Sequence, residues 1–180
     1  MVIPPGITIG TLSLGQYNSA NVVNRVRIRG PTVGSYSGGV VTGLEFYVPS
    51  GDIIIDGIGM RDSAQQIVIL ISFEIQRLAI VNSVIRAAGS GLISPARDMV
   101  VAGNTVVTAD RSRAVNGANG GYGFRAYSEA ALFYRNRIEG VRFHRIRMHP
   151  HLPYGAAPQY AWVDSNTFVD RHEARIFWVA

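Results

Sequence analysis

The chain has 180 residues, 47% apolar and 16% charged, which suits one domain with a single sizeable core and excludes a disordered chain. It holds no cysteine, and all 17 of its basic residues are arginine, so disulfides, thiolate catalysis, cysteine–zinc sites and a lysine Schiff base are all excluded. The net charge of +5 points to anionic partners (acidic glycans, nucleic acid or a membrane surface), with simple solubility as the plain alternative.

In chain order, the opening "MVIPPGITIG" has no basic region followed by an apolar core. No secretory signal is read there, and a mature extracellular fragment would look the same, so the compartment stays open. "NRVRI" begins at Asn24 and is followed by a turn-rich insertion, "GPTVGSYSGG" (30–39). "GLEFYV" and "DIIID" are strand-like, and "DGIGM" begins at Asp56. The apolar run "IVILISF" (67–73) is far too short to span a bilayer, so no membrane span is expected. "NSVIR" begins at Asn82, "GSGLI" occupies 89–93, and "DMVVA" precedes "NTVVT" at Asn104.

A second insertion, "RSRAVNGANGG" (111–121), leads into "GYGFR" (121–125). The best helical competitor in the chain is "SEAALFYRNRIEGVRF" (128–143), but "NRIEG" at Asn136 falls inside it. A third insertion, "RFHRIRMHPHLPYGAAPQ" (142–159), is followed by "AWV", by "NTFVD" at Asn166 and by the terminal "RIFWVA".

Asn24, Asp56, Asn82, Asn104, Asn136 and Asn166 share one pattern: an apolar residue (Val26, Ile58, Val84, Val106, Ile138, Phe168) follows two positions later. Their intervals are 32, 26, 22, 32 and 30 residues. A short period with variable excess is the signature of a solenoid with loop insertions. Asn and Asp tolerate left-handed corners, and stacked amides about 4.8 Å apart can bond one another. These six residues are therefore expected to form a structural corner ladder. The expected fold is all-β: a right-handed parallel β-helix solenoid of about six or seven coils, one domain over 1–180. An antiparallel β-sandwich is the alternative.

The N-x-[VIF] register, the G-x-G-[LF] strand entries and the "IPPG" opening resemble the right-handed parallel β-helix, pectin-lyase-like superfamily. That group includes pectate lyases, polygalacturonases, uronate-polymer lyases and phage tailspikes. The resemblance covers most of the chain. It implies architecture, because one solenoid carries many functions. It also implies, as one activity, a polysaccharide lyase with an arginine base.

The insertions near 30–39, 111–121 and 142–159 are expected on one edge of the solenoid. Arg111 and Arg113 from one loop, with Arg142, His144, Arg145, Arg147 and Tyr154 from the next, form the candidate ligand-binding set. Guanidinium forks match carboxylate and sulfate, and a tyrosine can stack on a sugar ring. Acidic or sulfated polysaccharide is the expected ligand. Nucleic acid is the weaker partner class, since arginines alternating with apolar residues also describe a strand with one wet face.

No catalytic motif is matched: there is no nucleophile elbow, phosphate loop or aspartate pair of the polygalacturonase kind. Whether the chain is an enzyme stays open, with a lyase first and a glycoside hydrolase second. The acids are scattered and the histidine cluster is interrupted by proline, so no metal or cofactor is expected. With no capping helix visible at either end, a homo-oligomer through uncapped ends is expected, and a structural β-helix without ligand is the third reading.

Overall fold

A computed structural model of the chain describes residues 1–14, 23–31, 40–46, 50–61, 69–71, 75–87, 92–108, 122–140, 144–149, 160–169 and 175–179. Among these the protein is all-β, with seventeen strands, no helix, and parallel pairing in every ladder. The antiparallel sandwich is thereby excluded for the described residues.

The first sheet contains β1 (Thr8–Leu14), β3 (Val40–Phe46), β5 (Gly59–Arg61), β8 (Val84–Ala87), β10 (Thr105–Thr108), β13 (Arg137–Glu139) and β16 (Thr167–Val169), in that spatial order, with β6 (Ile69–Ile71) also on β3. The second contains β2 (Val23–Arg29), β4 (Ser50–Asp56), β7 (Ile75–Val81), the long β9 (Leu92–Ala102), β11 (Tyr122–Tyr127), β12 (Ala130–Tyr134), β14 (His144–His149), β15 (Tyr160–Asp164) and β17 (Arg175–Val179). β9 belongs to two ladders. Its first half, Leu92–Pro95, pairs with β11, which pairs with β14 and then β17. Its second half lies between β7 and β12, in the ladder β2-β4-β7-β9-β12-β15.

Alternation explains both faces. In β7 the burial pattern places Ile75, Leu78 and Ile80 inside. In register across the strands, Ile28, Ile55, Ile80, Val101 and Phe133 are each fully buried and stack on one another. On the first sheet Val41, Met60, Ile85, Val106 and Ile138 form a second buried column that ends at half-buried Phe168. Burying each such side chain contributes about 1.5–3 kcal/mol relative to exposure. Phe124 meets Phe133 across the core, with ring centroids 5.7 Å apart.

One expectation needs correction. Residues 144–149, expected inside a long loop, form β14, because "HRIRMH" alternates and sends Ile146 and Met148 into the core. The stretch 128–143, where the asparagine register was preferred to a helix, forms β12, a tight turn and β13 within its described part, with Ala131, Phe133 and Ile138 buried.

The two ends differ. Met1–Ile3 lies against β2: Arg29 N–H donates to Met1 O at 2.9 Å, Ile3 N–H donates to Arg29 O at 2.8 Å, and the terminal ammonium donates to Arg27 O. β15, β16 and β17 each have one paired neighbour among the described strands.

Candidate functional site

The corner that follows β4, β7, β9, β12 and β15 organises the rest. Gly57, Asn82, Gly103, Arg135 and Ser165 all have positive φ, between 51° and 66°. The first four backbone N–H groups of this column donate to the next strand: Gly57 to Val81 O, Asn82 to Ala102 O, Gly103 to Tyr134 O, and Arg135 to Asp164 O. One residue later come Ser83, Asn104, Asn136 and Asn166. Ser83 N–H donates to Asn104 Oδ1 at 2.9 Å, Asn104 N–H to Asn136 Oδ1 at 3.1 Å, and Asn136 N–H to Asn166 Oδ1 at 2.9 Å. The Nδ2 groups of Asn104 and Asn136 also donate along the ladder.

The six residues expected in one column thus divide. Asn104, Asn136 and Asn166 stack directly. Ser83 takes the place assigned to Asn82, because Val84 pairs with Thr105 and shifts the register by one. Asn82 stands in the positive-φ column instead. Asp56 pairs with Val81, one position earlier again, and Asn24 lies opposite Gly51, far from this corner. Asp56 still bonds into the neighbourhood, accepting from Arg27 Nη2 at 2.5 Å and from Asn82 Nδ2 at 3.3 Å. The Arg27 guanidinium, then the Asn82 amide, hold its carboxyl below the ordinary carboxylate range, against partial burial.

Of the expected ligand-binding residues, Arg111, Arg113, Arg142 and Tyr154 lie outside the described residues, as do most of the three insertions. His144, Arg145 and Arg147 fall on β14, in the middle of the ladder β9-β11-β14-β17. Their neighbours there include residues that loop-based reasoning misses. Arg147 is the register partner of Arg125 on β11 and of Trp178 on β17; His149 is the partner of Tyr127; and His144 is the partner of Tyr122 and Arg175.

Phe124, Ile146 and Met148 are buried, and they anchor this ladder to the core. In backbone register the ladder sets Arg125 beside Arg147 and Tyr127 beside His149. The segments Leu92–Pro95, Tyr122–Tyr127, His144–His149 and Arg175–Val179 contain no acidic residue. Like charges directly opposite each other across a ladder are destabilising. The alternation of "GYGFRAY" with "HRIRMH" is the signal that could have located this pairing.

Among the described residues no group of three His, Asp or Glu side chains converges as a metal site, and no helix is long and apolar enough to cross a membrane. Comparison with family models, with curated proteins and with solved structures finds no match to this chain.

Proposed function

We propose that the chain is a right-handed parallel β-helix of about six or seven coils, of the pectin-lyase-like kind, that binds acidic or sulfated polysaccharide on the outer face of β9-β11-β14-β17. Support for the solenoid comes from the strand order: consecutive strands pass between ladders, and each ladder grows by parallel addition. A right-handed hand follows from the general preference of parallel crossovers. Support for the ligand comes from one observation above all: Arg125 and Arg147 are direct register partners on strand segments that carry no acid. Arg111, Arg113, Arg142 and Tyr154, the other members of the expected set, lie outside the described residues.

The test is retention on a sulfated-polysaccharide resin, eluted with rising salt. Screening shortens from about 10 Å at 0.1 M to about 3 Å at 1 M ionic strength, so a site of this kind releases its ligand within that range. Arg125→Gln with Arg147→Gln should elute at clearly lower salt than the parent. Equal elution of both proteins would remove this face from the reading. Incubation with uronate polymers, followed by ultraviolet absorbance of an unsaturated product, separates a binding module from a lyase.

A second reading, end-to-end self-assembly, is favoured by the open strands. Tyr160 and Trp162 on β15 are 72% and 69% exposed, and edge strands pair readily with other chains. Light scattering at micromolar concentration tests it.

A further inference from the structure

The outer surface of the other ladder carries a different arrangement, independent of the anion-binding reading. Ile54, Ala79, Val100, Leu132 and Trp162 are register partners on β4, β7, β9, β12 and β15. They alternate with the buried column and form one apolar stripe on the outside. The stripe floors an open trough of about 720 Å³, within the size range of small-molecule sites.

One wall of the trough is charged. Asp52 accepts two hydrogen bonds from Arg77, Nε to Oδ1 at 2.5 Å and Nη2 to Oδ2 at 3.1 Å, which occupy the guanidinium fork. Asp98 is the next register partner of Arg77 and is exposed; it acts on Arg77 through space, while the guanidinium fork is held by Asp52. The wall therefore holds two carboxylates against one guanidinium, and the surplus negative charge sits at Asp98. Of the cations nearby, Arg25 acts on Asp52 at the far end from Asp98, and Arg97, next to Asp98 in the chain, is paired with Glu129 at 2.9 Å.

We propose that this trough binds an amphipathic cation of the aliphatic-amine class. The ammonium sits at Asp98, and the apolar chain runs over Val100 and Leu132 toward Trp162. Two strand spacings, roughly 10 Å, separate the Asp98 strand from the Trp162 strand, which an extended eight-carbon chain can cross. A neutral chain would gain only the apolar contact. An anionic headgroup would meet the surplus carboxylate charge.

The test uses the full chain with Trp178→Phe, leaving Trp162 as the single indole. Titration with octylammonium chloride at constant ionic strength should give a saturable change in Trp162 emission. Octanoate should bind about three- to fivefold more weakly, the scale of one exposed charge pair. Asp98→Asn should weaken octylammonium by the same factor, and Asp98→Glu should retain it. Elution of Asp98→Asn from the sulfated resin should match that of the parent, which separates this site from the other ladder. Equal affinity for octanoate and octylammonium, or an Asp98→Asn titration that overlays the parent while its thermal melt is unchanged, would overturn the proposal.

Discussion

Asn104 Nδ2 donates to Asn136 Oδ1 at 3.0 Å, and the same oxygen also accepts the Asn104 backbone N–H. Asn136 in turn donates from its own Nδ2 to Val101 O at 2.8 Å and to Asn166 Oδ1 at 2.9 Å. Both Asn104 and Asn136 are 1% exposed. One side chain thus closes the hydrogen-bond needs of three neighbouring strand turns, and its loss leaves buried donors without acceptors.

Asn136→Ala should therefore cost about 3–5 kcal/mol, since each orphaned buried group costs about 1–3 kcal/mol. Asn166→Ala, at the partly exposed end of the ladder, should cost about half as much. Urea denaturation of the two variants checks the order. Equal losses would mean that the ladder does not transmit its effect inward.

Gly30 and Gly103 are constrained for different reasons. A Cβ on Gly30 would lie 2.0 Å from the backbone oxygen of Gly57, whereas one on Gly103 would lie 2.8 Å from the Asn82 side-chain oxygen, at φ +66°. A side chain can swing away and a backbone carbonyl cannot. Gly103→Ala should cost about 1–2 kcal/mol, the usual left-handed strain. Gly30→Ala should cost more, although its backbone is not left-handed, and thermal unfolding of the pair decides it.

Acid should destabilise the fold through Asp56 and Asp52. Arg27 lowers the pKa of the first, and Arg77 lowers that of the second. A folded-state pKa below the unfolded one means that the unfolded chain binds more protons in this window. The stabilisation is complete above the ordinary carboxylate range and is lost as pH falls through it and below. Arg27→Ala should flatten the acid limb of a plot of Tm against pH. An unchanged limb would show that the Arg27–Asp56 pair, largely in solvent on the arginine side, adds nothing to stability.

Arg125→Gln should separate stability from binding. Removing one of two arginines paired in register should relieve repulsion worth about 0.2–1 kcal/mol. Stability should rise slightly at low salt while retention on the sulfated resin falls. A variant that loses stability instead would mean that Arg125 is held by a partner rather than opposed by one.

Much of the architecture was legible without coordinates. Parallel stacking could be read because the asparagines repeat with β-branched residues two places on, and a buried amide column tolerates few substitutes. Val106, Ile138 and Phe168 were correctly assigned inward by that rule. The rule failed where the amide role and the left-handed role separate. At Asn82 the two readings differ by one residue, and a sequence letter cannot say whether an asparagine serves through its side chain or through its φ. Ser83, which does the amide's work with its backbone and its hydroxyl, was invisible for that reason.

The candidate site was less legible. Arg145 and Arg147 were singled out as loop residues, yet they stand on β14, and Arg125, the register partner of Arg147, lies 22 residues before it. Composition and periodicity determined that the chain builds parallel sheets around stacked apolar columns, because burial enforces that pattern at every turn. Which charges face one another was decided only in three dimensions. Register sets those pairings, as with Arg125 beside Arg147 and Asp98 beside Arg77. It depends on the length of each intervening segment, which solvent leaves free to vary.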